Sequence, residues 1–212
     1  MLGVNDGIVS TSSLMLGVLA ASQSHAAILT AGIAGLVAGA LSMAAGEYVS
    51  VSSQRDSEQA DIEIERRSLK HNPDEELAEL ASIYEQRGLD SKLALQVARQ
   101  LHEHDAVAAH ARDELGIDHE SLANPTQAAL ASALAFSIGS AVPLVAAVLV
   151  RGSYATLTIV LASLLALAIS GGIGAQVGGG QKLRASLRVF IGGGAAMGIT
   201  YLIGHLLGAK IS

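Results

Sequence analysis

The residues best suited to chemistry in this chain stand inside apolar stretches. Asp6 lies near the start of the first stretch, and Met43 and Glu47 lie one helical turn apart near the end of the second. A carboxylate inside a membrane costs about 2.5–3.5 kcal/mol on insertion scales and normally faces a pathway or a partner. No Lys or Arg lies inside these stretches to neutralise the two acids, and a bound cation would do so. A soft thioether beside hard oxygen donors favours a transition metal over Ca²⁺ or Mg²⁺. Taken singly, the same residues also fit interfacial solvation of the acids and ordinary packing of Met43.

A second group of potential ligands lies in the polar segment between the apolar stretches. Its members recur at helical spacing: Glu58, Asp61 and Glu65, then Glu76 and Glu79, then His110 and Glu114. Residues three or four apart lie on one face of a helix. Carboxylate and imidazole donors without thiolates suit Fe²⁺, Mn²⁺ or Zn²⁺, and the chain has no cysteine. A solvated acidic surface is the alternative interpretation of any single pair.

These residues are carried by a chain whose composition is typical of a membrane protein. Half of its 212 residues are hydrophobic, and the mean hydropathy is +0.45. A helix needs about 20 apolar residues to cross the hydrocarbon core. Five windows approach this length: Ile8–Ala21 (extendable to Leu2), Ala26–Ser50, Ala128–Val150, Tyr154–Gln176 and Leu187–Leu207. Since no sheet pattern occurs, we predict an all-α membrane protein with five transmembrane helices and a helical cytoplasmic insert between spans two and three.

Charge divides the chain into three predicted segments. Residues 1–50 carry spans one and two, residues 51–120 form a cytoplasmic helical metal-binding module, and residues 121–212 carry spans three to five. Val51–Glu120 holds 17 of the 19 acidic residues, 8 of the 13 basic residues and five of the seven histidines. The insert is therefore acidic and soluble, whereas the remainder is apolar with a small excess of basic residues.

Three helices are predicted in the insert. Span two continues to His71 without a breaker. A second helix follows Asn72, with Pro73 at its first position, and ends at Gly88. A third runs from Asp90 to Gly116. Its predicted apolar face consists of Leu93, Val97, Leu101 and Val107.

Basic residues in the short loops predict the orientation. The loop between spans four and five carries Lys182, Arg184 and Arg188, whereas the loops at "SQSH" and "RGS" together carry only Arg151. Basic loops stay on the cytoplasmic side. The N-terminus and the insert are then cytoplasmic and the C-terminus lies outside, which in a bacterium places the protein in the inner cell membrane.

Three motifs closely resemble the vacuolar iron transporter family, in particular its bacterial-type members. They are "NDGIVSTSSL" at the head of span one, "SMAAGEYVSVSSQRD" at the end of span two and "NPDEELAELASIYEQRGL" in the insert. The resemblance extends over essentially the whole chain, including the arrangement of two spans, an insert and three spans. Because the chain begins close to "NDG", we expect any cytoplasmic N-terminal helix carried by relatives to be short or missing here.

The resemblance implies a homodimer with five spans per subunit and a pore at the dimer interface. It further implies export of Fe²⁺, and often Mn²⁺, from the cytosol in exchange for protons. The "GxxxG" of Gly35 and Gly39 permits the close helix contact that a dimer needs. The metal ions are transported substrates, and neither a cofactor nor a nucleic-acid partner is expected.

The resemblance also assigns roles to individual residues. Asp6 matches the family's pore aspartate, Met43 its pore methionine and Glu47 the acidic residue that follows. The module's ligand glutamates correspond to Glu65, Glu76, Glu79 and Glu114. Ser68 stands where a ligand glutamate is usual, and His110 and Ala111 stand where methionines can occur, so His110 could supply nitrogen in place of sulfur.

Two other functional classes are alternatives to a transporter. A membrane-anchored metal sensor or buffer would use the module alone, but an anchor needs one span and gives no role to Asp6 and Glu47. A membrane-embedded hydrolase would need a nucleophile and a base, whereas His25 and His205 stand alone at the predicted outer ends. The sequence therefore predicts a metal transporter and not an enzyme.

Overall fold

The computed structural model describes residues 1–21, 24–118, 122–150 and 152–211. In this part of the chain all regular structure is helical: α1 (Leu2–Ala21), α2 (His25–His71), α3 (Pro73–Gln86), α4 (Ser91–Asp113), α5 (Pro125–Leu149), α6 (Ala155–Val177) and α7 (Lys182–Ile211), with a 3₁₀ turn at Gly152–Tyr154. The sequence features at Ser22, Gln23, Arg151 and Glu120 lie outside the described residues.

Five of these helices, α1, α2, α5, α6 and α7, are long and apolar enough to cross a membrane. This confirms the predicted fold class. The helix α2 is 47 residues long, more than twice the ~20 residues that a bilayer requires. Its apolar first half matches the predicted second span, and its polar second half continues without a break, as the sequence predicts.

The chain divides into two compact units. The first, here called the membrane unit, comprises Met1–Glu47 and Thr126–Ser212, and the second, here called the module, comprises Tyr48–Pro125. Each unit is described separately below.

The membrane unit is built around α1. Ile8, Met15 and Leu16 on this helix are buried in one apolar core with Ile159 and Leu167 of α6. Large apolar side chains on the other spans remain exposed, including Ile33, Val37 and Leu41 of α2. Apolar faces of this extent are typical of helices that contact lipid or another protein.

Glycines allow α1 to approach its neighbours at backbone distance. A Cβ atom on Gly7 would lie 2.1 Å from the carbonyl oxygen of Phe136 in α5. A Cβ atom on Gly204 of α7 would lie 2.1 Å from the carbonyl oxygen of Gly17. Both contacts exclude any side chain at the glycine, so α1 is held closely between α5 and α7.

In the module, α3 and α4 pack through a small apolar core. Its buried members are Leu80 and Ala81 of α3 and Ala98 and Ala109 of α4. The predicted apolar face of the third insert helix is wrong at Leu93, which is 46% exposed, because the buried positions of this turn are Ala94 and Ala98. Small side chains at these positions let the two helices approach closely.

The helix α4 is also interrupted, where the sequence predicts one continuous helix to Gly116. Asp105 has non-helical backbone angles (φ −159°, ψ 98°). Its carboxylate accepts a hydrogen bond from the amide of Ala108 at 2.9 Å, which caps the second part of the helix. Asp90 caps the first part in the same way, accepting from the amides of Lys92 and Leu93. The module therefore contains two short helical segments where one was predicted.

A polar network ties the end of α3 to the end of α4. Tyr84 Oη donates to Asp113 Oδ2 at 2.7 Å, and Arg87 Nη1 donates to Asp113 Oδ1 at 2.8 Å. Arg112 donates to the same carboxylate at 2.9 Å. This network fixes the two helices against each other beside the residues considered next.

Candidate metal centre and membrane pocket

Four potential ligands converge in the module from three helices. They are Glu65 of α2, Glu76 of α3, His110 of α4 and Glu114 immediately after α4. One nitrogen or oxygen atom from each lies within 4.8 Å of the corresponding atoms of the others. Three carboxylates and one imidazole at this spacing can enclose a divalent transition metal ion. This group is called the module cluster.

His110 lies at the centre of the module cluster and is fully buried. Its Nδ1 atom is 3.0 Å from Glu65 Oε1, 3.0 Å from Glu114 Oε2 and 4.0 Å from Glu76 Oε2. Its Nε2 atom is 2.8 Å from Nε2 of His102. Both ring nitrogens therefore face polar atoms, and the Nδ1 side faces the carboxylates.

The electrostatics of the module cluster favour a cation. Burial raises the pKa of Glu65, and the charges of Glu114, Glu76 and Glu79 raise it further, against a lowering effect of His110. Among the described residues, no donor reaches Glu65 Oε1 with hydrogen-bond geometry, although this atom is buried. A buried acceptor without a donor is unfavourable, and a metal ion would satisfy it.

Two residues of the module need separate mention. Glu79, predicted as a ligand, is exposed and is not part of the module cluster, although its charge affects Glu65. His102, which the sequence analysis did not single out, contacts His110 directly. Burial and the charge of His110 lower the pKa of His102, against a smaller effect of Glu76.

The membrane unit contains a pocket lined by two of the three predicted pore residues. It has a volume of ≈ 270 Å³ and is lined by Asp6, Ser10, Leu14, Gly35, Gly39, Ser42, Met43 and Phe136. Ser10 Oγ donates a hydrogen bond to Asp6 Oδ1 at 2.9 Å. Glu47 is exposed one turn beyond Met43 and is not among the lining residues. The pocket thus brings a carboxylate and a thioether together.

His25 and His205, which the sequence analysis treated as isolated, line one pocket of ≈ 500 Å³ together with Tyr201. Among the described residues, the buried Nε2 atom of His25 has no hydrogen-bond partner.

Sequence reasoning missed several residues of these sites. Ser10, Ser42 and Phe136 line the membrane pocket. Ser10 and Ser42 lie within two of the motifs quoted above, but neither was given a role. The sequence carries no signal that singles out His102, because its contact with His110 depends on the break in α4 at Asp105.

Comparison with known proteins identifies the family. The model of the VIT family matches residues 1–205. The vacuolar iron transporter of Acanthamoeba castellanii is 47% identical over 207 residues, which are 97% of this chain and 76% of the relative. Vacuolar iron transporter homolog 3 of Arabidopsis thaliana is 40% identical over 211 residues, 99% of this chain and 82% of the relative. Vacuolar iron transporter homolog 2.1 of the same plant is 37% identical over 210 residues, 99% of this chain and 80% of the relative. The chain therefore belongs to the VIT family.

Proposed function

We propose that this multi-pass membrane protein exports Fe²⁺ from the cytosol, with Mn²⁺ as a second substrate. The observation that carries the proposal is the pocket of the membrane unit, which both Asp6 and Met43 line. A carboxylate oxygen and a thioether sulfur can replace part of the hydration shell of a transition metal ion. Family membership and relatives named as iron transporters support a transporter in preference to an enzyme.

In this proposal the module raises the supply of metal to the membrane unit. The module cluster offers three carboxylates and an imidazole, and the orphaned oxygen of Glu65 supports its use as a cation site. The N-terminus and module face the cytosol, as the basic residues Lys182, Arg184 and Arg188 at the start of α7 indicate.

We further propose that two copies form the functional unit. The first half of α2 carries an exposed apolar face with Ile33, Val37 and Leu41, and Gly35 and Gly39 on the same helix line the membrane pocket. A second copy against this helix would close the pocket and exclude lipid from Asp6. The small residues support the close helix contact that this requires.

Proton exchange is proposed for the return step. After the ion leaves, the charges of Asp6 and Glu47 must be neutralised before the empty carrier can reset, and protons entering from the outer side would neutralise them. Metal binding requires deprotonated ligands and therefore expels these protons. Metal moving outward would then be accompanied by protons moving inward.

The test is metal flux into proteoliposomes that contain a trapped pH-sensitive dye. Asp6→Ala and Met43→Ala should each reduce Fe²⁺ flux at least about tenfold, because each removes a ligand, whereas Asp56→Ala, at an exposed acid of the module, should not. Full flux in both pocket variants would defeat the pore assignment. Metal flux without any dye response, unaffected by an imposed pH gradient, would show a uniporter or channel and contradict proton exchange.

A second test addresses the module in the full-length protein. Replacing Glu65, Glu76, Glu79 and Glu114 with Ala should weaken Co²⁺ binding measured by calorimetry and reduce flux less than the pocket variants do. The matched control replaces the same number of exposed acids, at Asp56, Asp61, Glu75 and Glu85. Equal Co²⁺ binding in the two quadruple variants would mean that the module acids are only a solvated face. Binding without any flux in the wild type would favour a metal sensor or buffer.

A further inference from the structure

The break in α4 brings together two histidines that a continuous helix would keep apart. Residues eight apart in an unbroken α-helix are separated by about 12 Å along its axis. His102 and His110 instead face each other across the break at Asp105, with 2.8 Å between their Nε2 atoms. Asp105 stabilises this geometry by capping the segment that carries His110.

The two imidazoles are arranged for a hydrogen bond between their Nε2 atoms. Their ring centroids are 5.0 Å apart. This separation is close to the sum of the Nε2–Nε2 distance and the distance from each Nε2 to the centre of its own ring. The two ring centres and the two Nε2 atoms therefore lie nearly on one line, with the nitrogens facing each other. One Nε2 must then donate and the other accept. The geometry therefore couples the tautomer of His110 to that of His102.

The tautomer of His110 decides whether it can bind metal in the module cluster. A neutral imidazole carries a proton on one nitrogen only. The Nδ1 atom lies 3.0 Å from both Glu65 and Glu114 and donates a hydrogen bond to Glu114 Oε2. A metal ion held with these carboxylates would take the place of that proton and needs a bare Nδ1. The proton must then be on Nε2, and it requires an acceptor because His110 is fully buried.

We propose that His102 is the positioning residue of the module cluster: when a metal ion occupies the cluster, His102 accepts the Nε2–H of His110 and so holds His110 in the tautomer that presents Nδ1 to the metal. This inference rests on the proposed role of the module cluster in binding the transported ion. Metal-ligating histidines usually donate their other ring N–H to a fixed acceptor, and loss of that acceptor lowers metal affinity about 10–100-fold. Here the acceptor is a second imidazole.

The proposal includes a consequence for metal preference. Without His102, the module cluster keeps its three carboxylates but loses a correctly presented nitrogen donor. Mn²⁺ is well served by carboxylates, whereas Co²⁺ and Zn²⁺ gain more from imidazole. Loss of His102 should therefore weaken Co²⁺ binding more than Mn²⁺ binding.

The experiment compares three variants of the full-length protein in detergent by calorimetry with Co²⁺ and Mn²⁺. We expect His102→Leu to lower Co²⁺ affinity about 10–100-fold and Mn²⁺ affinity by a clearly smaller factor. His102→Gln, whose side-chain oxygen can accept near the position of Nε2, should recover most of the Co²⁺ affinity. His104→Leu, at an exposed histidine of the same helix, should behave like the wild type.

A direct measurement keeps the proposal testable even where a variant folds poorly. Nitrogen-15 NMR of histidine-labelled, Zn²⁺-loaded wild-type protein should show the His110 proton on Nε2. A proton on Nδ1, equal losses of Co²⁺ and Mn²⁺ affinity in His102→Leu, or no recovery in His102→Gln would each overturn the proposal. Wild-type protein that binds no Co²⁺ would overturn the module's proposed function together with the role of His102. Wild-type binding that His102→Leu leaves unchanged would overturn the role of His102 alone.

Discussion

Asp113 provides a quantitative test of how the module holds its ligands in position. Its side chain is only 8% exposed and accepts hydrogen bonds from Tyr84 and Arg87 at the end of α3. Asp113 itself is the last residue of α4, directly before Glu114. The network therefore fixes α3, which carries Glu76, against the ligands of α4. Removing the charge of Asp113 should loosen this connection.

The size of the effect follows from the pKa of Asp113. Burial alone would raise this pKa, but hydrogen bonds from Arg112, Arg87 and Tyr84 outweigh burial and lower the pKa from 3.8 to about 2. One pKa unit corresponds to about 1.4 kcal/mol, which gives an upper value of roughly 2.5 kcal/mol. Arg87 and Arg112 are 48% and 61% exposed, and screening by solvent reduces the contribution to about 1–2 kcal/mol.

The pH dependence of this contribution has a definite sign. The pKa of Asp113 is lower in the folded than in the unfolded chain, where an aspartate titrates near ~3.9. The stabilisation is therefore complete above that value and is lost as the pH falls toward about 2. Asp113→Asn should lack this pH dependence.

Hydrogen–deuterium exchange of the full-length protein measures the effect locally. At pH 7, Asp113→Asn should lower the protection of α3 and α4 amides about 5–30-fold, the factor that corresponds to 1–2 kcal/mol. Glu85→Gln, at an exposed acid on α3, is the matched control and should retain wild-type protection. Equal protection of the wild type and Asp113→Asn at pH 7, or a difference that persists below about pH 1, would refute the reasoning.

Two further predictions concern the helix contacts and the ligand set. Gly204→Ala should lower the free energy of unfolding by about 1–3 kcal/mol, because the Cβ atom of the new alanine would lie 2.1 Å from the carbonyl oxygen of Gly17. The effect is measured as a lower melting temperature in detergent. Gly198→Ala should leave the melting temperature unchanged, because a Cβ atom at this position would have no neighbour within 4 Å. Equal melting temperatures of the two variants would contradict the contact between α1 and α7. Ser68→Glu should tighten Co²⁺ binding in calorimetry, since this position follows the proposed ligand Glu65 by one helical turn. An unchanged isotherm would argue against Ser68 marking a ligand position.

The helices of the membrane unit could be predicted because their signal is local. Long apolar windows bounded by polar residues are sufficient to identify spans, and the observed α6 (Ala155–Val177) differs by one residue at each end from the predicted window. The break in α4 could not be predicted in this way. An aspartate can also stand inside a continuous helix, and the non-helical backbone of Asp105 is stabilised by its cap to the amide of Ala108.

The sites were predictable where their residues share a helix. The spacing of His110 and Glu114, or of Met43 and Glu47, is visible in the sequence because each pair occupies one helical turn. The approach of Glu65 and Glu76 to His110 depends on how three helices pack, which the resemblance to a family implied and periodicity did not. His102 was missed because two residues eight apart in a continuous helix lie about 12 Å apart along its axis and cannot contact each other. Phe136 was missed because an apolar residue in a span carries no sign of lining a pocket.

Under the proposed function, the orphaned oxygen of Glu65 would link the stability of the module to the supply of metal. A buried acceptor without a donor costs about 1–3 kcal/mol, and nearby acids add repulsion to that cost. A metal ion that satisfies the oxygen and reduces the repulsion between the acids stabilises the folded module by mass action. The gain in folding free energy then rises with the logarithm of the free metal concentration. Without metal the module should therefore open more often and be cleaved sooner by proteases. We expect Co²⁺ to slow proteolysis of the module. Equal rates of proteolysis with and without Co²⁺ would contradict this link between the stability of the module and metal.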